Sequence, residues 1–103
     1  MLKRKTAINI AKEYIKMCSE MGINFSHAIL FGSYAEGKNH AFSDIDLALV
    51  SDDFTDDFIK DNGKISKANI RFNRIEPHTY STRYFKKSDP FIDEIKRTGI
   101  VLK

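Results

Sequence analysis

The sequence predicts an α/β protein of the α+β kind: a small mixed β-sheet with helices packed on one face. Three observations carry this expectation. Helical and strand periodicities alternate along the chain with no repeat, low-complexity block or linker between them. One strand-like stretch, DIDLALV, is apolar on one face and begins the other face with two aspartates. Finally, 103 residues suffice for one modest core and fall short of two, so residues 1–103 are expected to form a single domain.

The elements follow in chain order. Ala7, Ile10, Ala11, Tyr14, Ile15, Cys18 and Met21 recur at three- and four-residue steps, which predicts an amphipathic helix over 6–21 that stops at Gly22. Asn24 to Phe31 runs into a continuous apolar stretch halted by Gly32, the pattern of a strand buried on both faces, and a tight turn must follow. In the next strand Ile45, Leu47 and Leu49 share one face, while Asp44, Asp46, Ala48 and Val50 share the other. Thr55 to about Asn69 is a weaker helical stretch, with an interruption expected near Asn62 and Gly63.

Ile70 to Tyr80 reads as a third strand, with Phe72, Arg74, Glu76 and His78 on one face and Arg71, Asn73 and Ile75 on the other. Pro77, which has no N–H to donate, places this strand at an edge or marks its end. Ser88 is the expected N-cap of a last helix with Pro90 in its first turn, Phe91, Ile92 and Ile95 inside it and Gly99 as its stop. The closing Ile-Val-Leu is expected to form a short edge strand.

Composition narrows the function classes. Hydrophobic residues make up 42% and charged residues 30%, near globular averages. No apolar run approaches the roughly 20 residues that span a bilayer, and the basic start MLKRKTAINIAKEY lacks the apolar block of a signal peptide, so a cytoplasmic location is expected. The net charge of +3 suits phosphate-bearing ligands, but no aromatic-basic interleaving of an RNA-reading module accompanies it, which argues against a nucleic-acid partner. Cys18, the one cysteine, has no partner for a disulfide and reads as a packed structural thiol.

The chemistry concentrates in GSYAEGKNHAFSDIDLALV, Gly32 to Val50. GSYAEGKN comes within one residue of the phosphate loop G-x-x-x-x-G-K-[ST]. Asn39 replaces the magnesium-binding hydroxyl, however, and too few residues separate Gly37 from the Asp44 strand for the long helix that loop begins. The other reading keeps every feature. Gly32 and Ser33 form a sharp turn whose N–H groups and hydroxyl can hold phosphates. Asp44 and Asp46 then stand about 6–7 Å apart on one strand face, a spacing that lets both reach metal ions bridging a triphosphate. Glu76 is the best third carboxylate, able also to take a proton from an attacking hydroxyl.

These residues resemble the minimal nucleotidyltransferases of the DNA polymerase beta superfamily: Gly32-Ser33, ten residues, Asp44-Ile45-Asp46, and a later acidic residue, Glu76. The resemblance covers most of the chain and implies a polymerase beta-like nucleotidyltransferase fold. It implies transfer of a nucleoside monophosphate, usually AMP from ATP, to a hydroxyl, with pyrophosphate leaving. By the same resemblance Gly32 and Ser33 grip the triphosphate, Asp44 and Asp46 hold two Mg²⁺ ions, and Glu76 helps with the second metal or deprotonates the acceptor. Relatives of this size are commonly antitoxins paired with a helical HEPN-type ribonuclease, so a tyrosine of such a partner is the implied acceptor. A second reading stays open: a catalytically silent nucleotide-binding or docking module that neutralises its partner by binding alone.

Lys38 could steer the triphosphate, and Arg71 or Arg74 could neutralise the leaving group, although long cations near a sheet edge are usually solvated. His78 could bind phosphate or tune Glu76, or serve as a structural histidine beside Pro77. His27 and His40 have no ligand-spaced partners. The cluster Asp52, Asp53, Asp56 and Asp57 is expected to cap the following helix, where negative charge complements the helix dipole.

Overall fold

The computed structural model describes residues 2–87 and 89–103. Helix α1 (Arg4–Glu20) buries Ala7, Ala11, Tyr14 and Cys18, one stripe at four-, three- and four-residue steps, and Ile10 and Ile15 pack at its margins. It leads to strand β1 (His27–Phe31), the short helix α2 (Ser33–Glu36) and strand β2 (Ile45–Ser51). Helices α3 (Phe58–Lys64) and α4 (Ser66–Arg71) then carry the chain over to strand β3 (Ile75–Ser81). Helices α5 (Thr82–Phe85) and α6 (Pro90–Thr98) precede the two-residue strand β4 (Ile100–Val101).

The sheet order is β3-β2-β1-β4. β1 runs antiparallel to both β2 and β4, whereas β2 and β3 are parallel. A parallel pair needs a crossover of a dozen residues or more, and the α3–α4 segment supplies it. The central strands are nearly fully buried, as their unbroken apolar runs require.

Alternation along β1 and β2 splits the core in two. Ala28, Leu30, Ile45, Leu47 and Leu49 pack with the buried stripe of α1 and with Ile65 and Ala68, which forms the expected helical layer. Ile29, Phe31, Ala48 and Val50 face the other way, and there Phe85, Ile92 and Ile95 of α5 and α6 add a second, smaller layer. Asp46 belongs to this second face by its two-residue step from Ala48.

The crossover departs from expectation. Ile70 and Arg71 belong to α4, so the third strand begins at Ile75. Ile65, Ala68 and Phe72 step by three and four and turn inward together, while Ile70 is 80% exposed; the helical period overrides the apparent alternation. Phe72 consequently meets Tyr14 edge-on at 5.9 Å instead of sharing a face with Glu76 and His78. The helical interruption falls at Ile65, just past Asn62 and Gly63.

Other local features agree with the sequence in part: of the acidic cluster expected to cap α3, Asp57 alone does so, while Asp53 accepts from the Asn24 N–H and Asp56 from Ser81. Pro77 lies within β3, an edge strand. The expected cap at Ser88 lies outside the described residues; the Asp89 carboxylate accepts from the Phe91 and Ile92 N–H groups at 2.8 and 3.3 Å and caps α6. Asp57 accepts from the Lys60 N–H at 3.1 Å and caps α3, and Asp56 accepts from the Ser81 N–H and hydroxyl, tying the loop after β2 to the end of β3. Cys18 is buried, and burial pushes its thiol up to about 11, which makes it unreactive at neutral pH.

Candidate active site

The site begins where β1 ends. Gly32 has φ +75° and ψ −151°, a backbone state that side chains rarely adopt. A Cβ there would collide with the Asp46 carboxylate, whose Cγ would stand only 3.2 Å away. Glycine is therefore required twice over, by the turn and by the closeness of the aspartate. Ser33 opens α2 immediately afterwards, and Gly37, at φ +73°, closes that single turn. β2 starts soon after, at Ile45, so the long helix of a phosphate loop has no room.

Three polar ties hold this turn. Arg4 donates through Nε to the Tyr34 carbonyl at 2.9 Å and through a terminal nitrogen to the Ala35 carbonyl at 3.1 Å, satisfying carbonyls that so short a helix leaves open. Asn39 donates to the Leu2 carbonyl at 3.1 Å. Arg74 donates to the Tyr34 hydroxyl at 3.2 Å and to the Ser43 carbonyl at 2.8 Å, joining α2, the approach to β2 and the approach to β3. Arg74 is thus a brace of the loop, and Arg71 lies exposed against the Phe72 ring. Neither brace was legible in the chain, because Arg4 and Arg74 stand 30 and 40 residues from the Tyr34 they hold.

The parallel register sets Asp46 directly beside Glu76 and Ala48 beside His78. Asp46, Glu76 and His78 each offer a ligand atom, all within 4.8 Å of one another. Asp44 sits one residue ahead of β2, exposed at the mouth, outside that group of three. Lys38 is exposed just beyond Gly37 and also lies outside it.

Burial raises the Glu76 carboxyl above its usual range, and repulsion from Asp46 raises it further; His78 partly offsets this, and Asp44 adds a smaller upward push. Facing carboxylates that repel one another in this way are relieved by a divalent cation. The donor set is mainly oxygen and open to solvent, so it fits a hard ion that completes its shell with water and phosphate oxygens.

A family profile described as a nucleotidyltransferase domain matches residues 11–102. The chain belongs to this family. As a nucleotidyltransferase it carries the Gly-Ser turn and the paired strand carboxylates where β1, β2 and β3 come together. No match was found among curated proteins.

Solved structures repeat the fold. A protein of Sulfolobus solfataricus described as a nucleotidyltransferase aligns over 95% of this chain and 80% of its own, with a TM-score of 0.67 and 20% identity. A toxin–antitoxin complex with AMP-PNP aligns over 88% and 71%, with a TM-score of 0.62 and 22% identity. The MntA-HpeT toxin–antitoxin, in a form with two aspartates changed to glutamate, aligns over 99% and 73%, with a TM-score of 0.56 and 19% identity. At these identities the likeness is one of fold. Among the described residues, no helix is long and apolar enough to cross a membrane.

Proposed function

We propose that this nucleotidyltransferase moves AMP from ATP to a hydroxyl, that of a tyrosine on a helical HEPN-type partner protein, with Mg²⁺ and in a toxin–antitoxin setting. The observation that carries the chemistry is the placement of Asp46 against the Gly32 turn on one side and Glu76 on the other. The partner and the nucleotide draw support from two structural relatives described as toxin–antitoxin complexes, one of them holding an ATP analogue. In the other relative the two altered aspartates stand two positions apart, as Asp44 and Asp46 do here.

In this reading the Gly32–Ser33 turn receives the triphosphate, with Lys38 at its outer edge. Asp46 and Glu76, with Asp44 at the mouth, would hold the divalent ions, one or two, and their charge would offset that developing on the phosphates. The acceptor oxygen forms a bond to the α-phosphorus as the bond from that phosphorus to the bridging oxygen breaks, and pyrophosphate leaves. The hydroxyl proton passes to water at the open mouth of the site.

The test is transfer of label from α-labelled ATP with Mg²⁺ into proteins of the native host's lysate, wild type against Asp46→Asn. Labelling by wild type, reduced at least ~100-fold in the variant, is expected if the aspartate binds the catalytic metal. Equal labelling by both would remove Asp46 from the chemistry. If neither labels anything, and an Asp44→Asn, Asp46→Asn double variant still silences a co-purifying partner, the protein acts by docking alone.

A further inference from the structure

His78 stands apart from the sequence pattern that identifies the family, and its geometry is specific. Its Nε2 lies 3.4 Å from Asp46 Oδ1. That is longer than the range of about 2.7–3.2 Å usual for an N–H···O bond. Neighbouring ligands around an octahedral ion with bonds of about 2.1 Å stand about 3 Å apart, so a shift of a few tenths of an ångström would bring both atoms onto one ion.

The imidazole is also held in place. The Phe31 ring meets it edge-on at 4.9 Å, and the Phe91 ring lies 6.2 Å away at a tilt. Phe31 and Phe91 pack on each other at 5.7 Å, and Phe31 is the register partner of Asp46, so the aromatic wall and the carboxylate share one frame. On the other strand His78 is paired with Ala48, whose methyl group leaves room for the ring to reach towards Asp46. A ligand ring clamped in this way loses little freedom when it coordinates.

We propose that His78 is a third ligand of the divalent ion beside Asp46 and Glu76, and that its nitrogen biases the site towards a first-row transition ion over Mg²⁺. Mg²⁺ is served by carboxylate, phosphate and water oxygens, whereas imidazole favours the softer transition ions. Asp44, at the mouth, is left to meet a second ion or the solvated edge of the nucleotide. This inference rests on the reading of Asp46 and Glu76 as metal ligands.

The probe is Mn²⁺ itself, added to the full chain without nucleotide and followed by electron paramagnetic resonance. In the wild type, electron spin-echo modulation from a directly bound ¹⁴N is expected. His78→Ala should lose that modulation and, in parallel titrations, bind Ni²⁺ roughly tenfold or more weakly, while Mg²⁺, measured by competition, changes far less. Bound Mn²⁺ without nitrogen modulation in the wild type, with binding abolished by Asp46→Asn, would overturn the role of His78 and leave the carboxylate site intact. Mn²⁺ binding unchanged in Asp46→Asn would overturn the metal site as a whole, and the role of His78 with it.

Discussion

Gly32 is the residue on which the geometry of the site turns. Any side chain here must accept a left-handed backbone and must also displace the Asp46 carboxylate. Gly32→Ala is therefore expected to cost about 1–3 kcal/mol of stability, seen as a lower melting temperature, and to weaken divalent-ion binding as Asp46 moves. A variant that melts and binds like wild type would show that the turn tolerates the methyl group. Glu76 makes the opposite kind of prediction. Its carboxyl holds a proton more tightly in the folded protein than in the unfolded chain, where a glutamate titrates near ~4.3. The stabilising contribution of the protonated form is complete below that value and is lost as pH rises through the higher folded value. At neutral pH and without divalent ions Glu76→Gln should thus melt above wild type, the gap closing below about pH 4. Melting curves across pH in a chelator would show it, and a variant that melts lower at neutral pH would contradict the repulsion between Glu76 and Asp46.

Between elements, Arg74 ties three approaches to the site: the α2 turn through Tyr34, the entry to β2 through Ser43, and the entry to β3 through its own backbone, whose carbonyl accepts the Ile45 N–H at 2.8 Å. Removing the guanidinium in Arg74→Ala leaves the fully buried Tyr34 ring with an unbraced hydroxyl and should cost about 1–3 kcal/mol. Arg74→Lys, with one point donor in place of a fork, should recover only part of this; full recovery in denaturant titrations would mean that charge alone suffices. Such ties also mark what sequence can and cannot convey. The Gly32-Ser33 turn and the strands that carry Asp46 and Glu76 were legible because period-two patterning and glycine punctuation are local signals, whereas Asp44, expected on the strand face, stands just ahead of β2. The start of β3 was misread because Ile70, Phe72 and Arg74 mimic alternation, and only packing of Ile65, Ala68 and Phe72 on α1 settles the helical choice. Arg4, Arg74 and the aromatic frame around His78 depend on long-range contacts, for which the chain carries no local mark.

Across the whole molecule, β1 and β2 carry both halves of the core, because each strand sends alternate residues to the α1 side and to the α6 side. Neither helical layer has a strand pair of its own on which to persist once those strands separate. Residues 1–103 are accordingly expected to unfold as one cooperative unit, with a total stability in the usual range of about 5–15 kcal/mol. Leu47→Ala on the α1 side and Ile95→Ala on the α6 side remove side chains that are 0% and 1% exposed. Each should cost about 2–5 kcal/mol, a large share of the total. Urea titrations followed by far-ultraviolet circular dichroism and by hydrogen exchange of the α1 and α6 amides would compare them. Both variants should move a single midpoint with unchanged slope, because surface exposed on unfolding sets the slope and the same unit unfolds in each. A separate early transition of α6 in Ile95→Ala would instead show that the second layer opens by itself. Because Phe91 of α6 belongs to the frame around His78, such opening would release one wall of the active site while α1 and the Gly32 turn stayed folded.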